Sequence, residues 1–283
     1  MSVATPGSTT ARAPLAAEET EAFHARHRIR SGSRPSTWRI AVAVEIVLIL
    51  AIWELAISGL ELIRPTFMPP PSAIGSSLFE VVTRASFVDH LTFSLSNLVI
   101  GIVLAAAVGI PVGIAVGWSR FLEVTAGPVL WALYSVPKVA FAPIVILALG
   151  LGHAPKIFLV FLLGVFPIML NTIEGVRTVE PSLVQASRVF GTNGLQLASK
   201  VILPATLPYI LVGLRRAVAL GFIGAMLGEF LGGAKGIGHL LQRAAHEFRM
   251  DDALALVVVM VVVANIGLLV TEIVRRRLAP WSL

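Results

Sequence analysis

The 283-residue chain is strongly apolar and carries few charges. Hydrophobic residues make up 56% of it and charged residues 13%, and its mean hydropathy is +0.87. Because soluble globular proteins carry about 25% charged residues, this composition excludes a soluble enzyme and a nucleic-acid-binding domain. The chain also contains no cysteine, which excludes disulfides, thiolate metal ligands and cysteine nucleophiles.

A polar segment precedes the apolar part of the chain. Residues 1–37 are rich in Ala, Ser, Thr, Pro and charge and show no apolar periodicity. Such a segment cannot bury enough surface to offset the entropy of ordering, so we expect a disordered tail. It does not match a secretory signal peptide, because the first apolar run begins only at Ile40 and is long enough to stay in the membrane.

Six apolar segments approach the length of about 20 residues that a helix needs to cross a bilayer. They are residues 40–60, 93–118, 127–150, 157–173, 207–231 and 253–274. The third is interrupted by Pro137 and Pro143, which predict a broken helix inside a bundle. Small residues recur every four positions along the second segment and predict a close helix contact. The predicted fold is an all-α integral membrane domain over residues 38–283, with about six transmembrane helices.

The basic residues predict the orientation of these helices. With both termini in the cytoplasm, fifteen Lys and Arg residues lie toward the cytoplasmic side and six toward the opposite side. Cytoplasmic loops of membrane proteins carry such an excess. The net charge of +6 is therefore interpreted as a consequence of orientation, not as the signature of a nucleic-acid partner.

Two external stretches have recognisable patterns. Residues 61–92 begin with prolines and continue with apolar residues at helical spacing, which predicts a short amphipathic helix. The apolar positions of that helix are Leu78, Val81, Val82 and Ala85. The glycine-rich run 232–238 predicts a hairpin turn, since it lacks the Ser or Thr that completes a phosphate-binding loop. The six histidines are scattered over the tail and the external loops, so we expect this chain to bind no metal. Because it also lacks a phosphate-binding loop, we expect it to bind no ATP.

The cytoplasmic stretch 174–204 carries the most informative pattern. Pro181 suits the first position of a helix, and Gly191 suits the position just past its end. Leu183, Ala186, Val189 and Phe190 share one face of this helix. A short amphipathic helix between two membrane helices suggests a docking surface for a soluble partner, although interfacial helices are also common in membrane proteins.

This loop resembles the signature of the permease subunits of bacterial ABC importers. That signature is Glu-Ala-Ala, three residues, Gly, nine residues, and then Ile-x-Leu-Pro. Gln185-Ala186-Ser187, Gly191 and Val201-Ile202-Leu203-Pro204 stand at the same spacings. Gln replaces Glu, Ser replaces the second Ala, and Val replaces Ile. The missing Glu puts one polar contact with the ATPase in doubt.

Flanking residues narrow the resemblance to the nitrate, sulfonate and taurine branch of these permeases. Similar runs stand at Val136–Pro143, Leu149–Gly152, Gly228–Leu231 and Gly236–Gly238. The usual aromatic residue before the first of the paired glycines is replaced by Leu149. The resemblance covers residues 68–275, which is most of the chain.

The resemblance implies a location and a set of partners. The chain would lie in the bacterial inner membrane as a homodimer, with two ATP-binding subunits and an external substrate-binding protein. ATP would bind to the partner ATPase. The coupling helix implied by the resemblance comprises Ser182, Leu183, Gln185, Ala186, Ser187, Val189, Phe190 and Gly191, and Pro204 closes the motif.

Two charged residues within the predicted spans are candidates for the translocation path, because ionisable groups inside a membrane are commonly functional. Lys138 lies midway along the third segment. It either faces the path and attracts an anionic substrate or is paired at a helix break inside the bundle. Glu229 lies near the outer end of the fifth segment. It belongs either to an outer gate or binding-protein contact or to a structural pair.

Other classes of membrane protein would require features that the sequence does not show. The main alternative is a secondary transporter driven by an ion gradient, in which repeated halves and mid-membrane carboxylates are expected. The chain shows no such repeat and few carboxylates. A membrane enzyme would need a clustered catalytic set, and an exporter permease does not account for the cytoplasmic motif.

Overall fold

The computed structural model describes residues 35–60, 64 and 66–280, with the side chains of residues 35–37 left aside. The chain divides into two compact units at residue 61. In the first unit, helix α1 (Pro35–Glu54) continues into a wider turn of π-helix at Leu55–Gly59. Residues 38–59 are long and apolar enough to cross a membrane. The predicted disordered tail lies outside the described residues, apart from the first turn of α1.

The second unit consists entirely of helices in its described part. They are α2 (Pro71–Thr83), α3 (Phe87–Trp118), α4 (Arg120–Ser135), α5 (Ala142–Leu149), α6 (His153–Arg177), α7 (Pro181–Val189), α8 (Gly194–Leu197), α9 (Leu203–Gly232), α10 (Ile237–His246) and α11 (Met250–Leu278). A 3-10 turn at Lys138–Phe141 precedes α5, and a π-helical turn at Ala198–Ile202 joins α8 to α9.

The described residues confirm the predicted all-α membrane fold. They contain five helices able to span a membrane, and a sixth span if the bent pair α4 and α5 is counted as one. Several helices are longer than their predicted spans, because hydropathy reports only the part inside the hydrocarbon. Helix α3, for example, begins at Phe87 and includes the polar residues Asp89 and His90, so its first turns were missed.

Helix α6 is central, since α3 packs on one side of it and α9 on the other. The predicted small-residue face of α3 makes the first contact: a β-carbon added at Gly113 would lie 2.6 Å from Thr172 of α6. Helix α9 approaches as closely. A β-carbon at Gly224 would lie 2.9 Å from the carbonyl oxygen of Leu159. Small residues therefore allow the three helix backbones to pack without intervening side chains.

A second layer packs at the end of the bundle where α3 and α11 begin. Val81 of α2, Ile237 and Ala244 of α10 and Leu256 of α11 share one apolar cluster. Helix α2 is the predicted amphipathic helix, although it ends at Thr83 and leaves Ala85 outside it. The turn predicted at residues 232–238 is present but shorter, because α9 continues to Gly232 and α10 begins at Ile237.

Candidate functional site

The loop between α6 and α9 folds into two short helices, α7 and α8. Helix α7 starts with Pro181 and ends in a Schellman motif: the amide of Gly191 bonds the carbonyl of Arg188 at 3.0 Å, and the amide of Thr192 bonds the carbonyl of Ser187 at 3.2 Å. Gly191 has a φ of +73°, a conformation that side chains with a β-carbon rarely adopt. The sequence therefore marked both ends of this helix correctly.

The next helix is capped as firmly. Asn193 accepts a hydrogen bond from the amide of Gln196 at 2.8 Å, and the Gln196 side chain accepts one from the amide of Asn193 at 3.1 Å. This reciprocal capping box starts α8. The predicted fifth span, residues 207–231, lies within a longer helical segment that runs continuously from Gly194 to Gly232.

One side of this loop packs onto the membrane helices. Leu197 and Ile202 are buried against Val176 of α6, with Ile114 of α3 and Val184 of α7 beside them. Such packing fixes the position of the loop relative to α3 and α6.

The opposite side of the loop exposes large apolar side chains. Val189 is 85% exposed, Phe190 86% and Leu195 79%. Leu183 is exposed to a lesser degree, and Gln185 and Ala186 lie on the same exposed helix. An exposed apolar patch rimmed by polar residues is typical of a protein interaction surface. We call the four exposed apolar residues of this patch the loop surface: Leu183, Val189, Phe190 and Leu195.

The predicted break in the third span is present, and the side chain of Lys138 lies at it. Helices α4 and α5 meet at a bend of 75° at Val136–Pro137. The ammonium of Lys138 turns back toward α4 and donates to the carbonyls of Tyr134 at 2.7 Å and Val136 at 3.4 Å. It also lies 4.6 Å from the centre of the Phe166 ring and 5.0 Å from that of Tyr134.

These contacts fit the pairing role at the helix break that was considered for Lys138. Its ammonium satisfies carbonyls left free at the end of α4, and the aromatic faces stabilise its charge. The side chain is only half-buried and borders a 260 Å³ cavity otherwise lined by apolar residues. A cation on the wall of an apolar cavity can attract an anionic group. The proximity of Phe166 to Lys138 was not predicted from the sequence.

Glu229 is fully buried and is bonded to the start of α10. Its Oε2 atom accepts a hydrogen bond from the amide of Gly238 at 2.8 Å. His90 Nδ1 accepts from the amide of Gly236 at 3.0 Å, and Ser94 Oγ accepts from the amide of Ile237 at 2.9 Å. Three side chains from two membrane helices thus bind three successive amides. We call His90, Ser94 and Glu229 the α10 anchor.

Lys156 stabilises the other end of the same turn. It is 1% exposed, and its ammonium donates to the carbonyl of Gly232 at the end of α9 at 3.0 Å. A cation at the C-terminus of one helix and an anion at the N-terminus of the next both complement the helix dipoles. Lys156 is also close enough to interact electrostatically with Glu229. Lys156 is one of the six basic residues that the sequence places on the side opposite the cytoplasm, and no sequence pattern predicts this contact.

Three of the four histidines that the sequence places in external loops, His90, His153 and His239, contact other side chains. His90 lies in α3 and stacks on His239 with ring centres 6.4 Å apart. His153 begins α6 and hydrogen-bonds Asn97 at 2.6 Å. Pairing of these residues depends on helix packing, for which the linear sequence offers no signal. Within the described ranges, no group of three or more His, Asp or Glu residues is placed to hold a metal.

Comparison with known proteins identifies the family. Residues 109–282 match the profile of the binding-protein-dependent transport system inner membrane component family. The match covers more than half of the chain. It includes the bent pair, the loop between α6 and α9, and Glu229 of the α10 anchor.

Full-length relatives have similar sizes. The taurine transport permease TauC of Escherichia coli strain K12 is 30% identical over 261 residues, which cover 88% of this chain and 94% of TauC. The candidate aliphatic sulfonates transport permease SsuC of Bacillus subtilis strain 168 is 31% identical over 254 residues, covering 90% and 91%. The formylaminopyrimidine transport permease ThiX of Halalkalibacterium halodurans is 29% identical over 235 residues, covering 83% and 93%.

A solved structure shares the fold. A chain of the inward-facing MetNI methionine ABC transporter superposes with a TM-score of 0.61 at 17% identity, covering 68% of this chain and 95% of that one. No comparison favours the ion-gradient alternative. The spans, the helical loop between α6 and α9 and the family match lead to one conclusion: this chain belongs to the binding-protein-dependent transport system inner membrane components, and it is a multi-pass membrane permease subunit of an ABC importer.

Proposed function

We propose that the loop surface (Leu183, Val189, Phe190 and Leu195) docks the permease onto an ATP-binding subunit, which binds the ATP that this chain does not. The exposure of Val189 and Phe190 at the capped C-terminal end of α7 is the observation that carries this proposal. Because the inner side of the loop packs on α3 and α6, closure of the ATPases would move those helices as rigid bodies.

A second copy of the chain is proposed to cover the bent pair. Helix α4 has no buried side chain in the described structure, and Trp131 and Leu147 are 57% and 87% exposed. Non-helical backbone at membrane depth is tolerated only where protein covers it or where it lines a water-filled cavity. A homodimer that packs around the bends at Val136–Pro137 meets both conditions and places the translocation path between the two copies.

The proposed orientation puts both termini, α7 and α8 in the cytoplasm and α2 and α10 outside, where a substrate-binding protein would dock. The excess of basic residues supports it. Because the chain has no native cysteine, Ser182→Cys in α7 and Ser76→Cys in α2 form a matched pair of exposed positions. A membrane-impermeant thiol reagent should label Ser76→Cys in intact spheroplasts and Ser182→Cys only after lysis. The reverse labelling pattern would contradict the orientation.

The proposed substrate is a small solute with a sulfonate or similar anionic group. The names of two relatives, TauC and SsuC, refer to taurine and aliphatic sulfonates, whereas ThiX is named for a formylaminopyrimidine. Lys138 favours the first class, because its ammonium borders the 260 Å³ cavity at the bend. Glu229 stays a proposed residue of the outer end of the path, and its burial supports the structural role more strongly.

The Lys138→Met variant tests whether the charge at the bend acts on the substrate. Met keeps the length of the side chain but removes the charge, so uptake of labelled taurine into cells expressing the complete transporter should fall at least about tenfold. The Lys138→Arg variant keeps the charge and should retain uptake within a few-fold. Normal uptake and normal apparent affinity in Lys138→Met would contradict a role in the path. Equal loss of uptake in both variants would indicate that only the lysine's bonds to Tyr134 and Val136 matter.

A further inference from the structure

An arginine-lined cavity of 220 Å³ lies apart from the bend and the cytoplasmic loop. It is formed where α2 ends, α3 and α11 begin, and α10 passes between them. Arg84, Arg243 and Arg249 line it together with Ser86 and Asp252. The remaining wall is apolar and includes Phe87 and Leu256. We call this the arginine cavity.

The guanidinium groups of the arginine cavity have more donors than the surrounding carboxylates use. Asp252, which is largely buried, accepts from Arg84 at 3.1 Å and from Arg249. Glu247 accepts from Nε of Arg243 at 2.8 Å and lies 3.6 Å from Nη1 of Arg249. Glu80 approaches Arg84 only at 3.9 Å and is mostly exposed.

Several donors therefore have no protein partner in the part of the chain that the structure describes. Both terminal nitrogens of Arg243 and the Nη1 and Nε atoms of Arg84 are among them, and so is the hydroxyl of Ser86. The hydrogen bond from Arg243 lowers the pKa of Glu247, which favours the charged carboxylate. This carboxylate hydrogen-bonds only to Nε of the Arg243 guanidinium. Planar guanidinium groups with free donors bind tetrahedral oxyanions well.

The position of the cavity adds a second, independent observation. Phe87 is the first residue of one membrane-length helix, and Met250 begins another close to Arg249 and Asp252. The cavity thus lies at the level where the apolar spans begin, with arginines on one side and apolar side chains on the other. Lipid phosphates occupy this level of a bilayer, and guanidinium groups bind phosphate oxygens through charge-assisted hydrogen bonds.

We propose that the arginine cavity binds a tetrahedral oxyanion, with Arg243 as its principal free donor. The group is either the phosphate of a phospholipid head group that reaches the cavity from the bilayer or the sulfonate of a free solute. The apolar wall beside Phe87 and Leu256 suits the first glycerol carbons of a lipid or the short alkyl part of an alkylsulfonate. This proposal does not depend on the identity of the transported substrate.

The test uses the full chain purified in an uncharged detergent and its thermal unfolding midpoint as the signal of binding. The probes are dihexanoyl phosphatidylglycerol and methanesulfonate, each titrated against chloride at equal ionic strength. At least one probe should raise the midpoint saturably. Arg243→Gln should weaken the apparent affinity for that probe about tenfold, since it removes a charge-assisted contact.

The matched control is Arg216→Gln, an exposed arginine in α9 that lies outside the cavity and should leave the affinity unchanged. Arg243→Gln should fold normally, because the pair that it breaks is exposed. A response to the lipid alone identifies the head group as the source, and a response to methanesulfonate identifies a free oxyanion. The proposal fails if neither probe acts, if uncharged dihexanoylglycerol acts equally, or if Arg243→Gln binds as tightly as the wild type.

Discussion

Replacing Glu229 by leucine is expected to lower the free energy of unfolding by about 3 kcal/mol or more, the largest effect of any single change considered. Leucine leaves the buried amide of Gly238 without an acceptor and Lys156 without a nearby opposite charge. It also removes the only membrane-helix contact to that amide found in the described structure. The α10 helix should consequently lose its fixed position over α3 and α9.

The measurement is urea or thermal unfolding of the purified chain in detergent. Glu80→Leu provides a matched control, because Glu80 is mostly exposed and its loss should change stability by less than about 0.5 kcal/mol. Glu229→Gln keeps an acceptor for Gly238 and should lose only about 1 kcal/mol. Equal stability of Glu229→Leu and the wild type would show that the anchor contributes nothing.

The same variants separate a structural role of Glu229 from a role in the path. If the anchor is structural, uptake per folded molecule in Glu229→Gln should remain close to that of the wild type. Loss of uptake in a variant that folds and assembles normally would instead support the path role.

Replacing Gly191 by valine is expected to reduce co-purification of the ATP-binding subunit, and with it substrate uptake, about tenfold. The φ of +73° costs a residue with a branched β-carbon roughly 1–2 kcal/mol. No neighbouring atom lies within 4 Å of a β-carbon at this position, so the penalty is confined to the backbone. Relief of that strain opens the end of α7 and displaces Val189 and Phe190 from the loop surface.

Gly194→Val is the matched control for this variant. Gly194 lies in the same loop, also in open space, but its backbone is not left-handed. The control should therefore retain the ATP-binding subunit, and both variants should reach the membrane in normal amounts. Co-purification of the ATP-binding subunit with Gly191→Val at the wild-type level would contradict the coupling assignment.

Local signals in the sequence were sufficient to predict both ends of helix α7 in the loop between α6 and α9. Pro181 fixes a backbone angle that suits a helix start, and Gly191 adopts the positive φ that ends the helix. Both effects operate within a few residues of the chain, so their positions in the sequence determine the structure directly. The start of the fifth span, predicted at residue 207, was too late, because a π-helical turn at Ala198–Ile202 leads without a break into α9.

The α10 anchor could not be predicted in the same way. Gly236 is 146 residues from His90, and their hydrogen bond exists only because α3 and α9 both pack against α6. A β-carbon at Gly236 would lie 2.7 Å from Oε1 of Glu229, so a tertiary contact adds to the positive φ of +118° that by itself favours glycine here. The sequence identified Glu229 as unusual but carried no information about its partners.

The sequence by itself determined the membrane location, the approximate number of spans and the two ends of helix α7 in the loop between α6 and α9. Hydrophobic transfer and helix capping both act locally along the chain. Only the tertiary structure decided where the buried charges and the arginine side chains find one another. Residues far apart in the chain meet there because small residues on α3 and α9 let three helices approach closely around α6. The roles of Lys138, Lys156 and Arg243 follow from that packing, and none of them is set by the neighbours of these residues in the sequence.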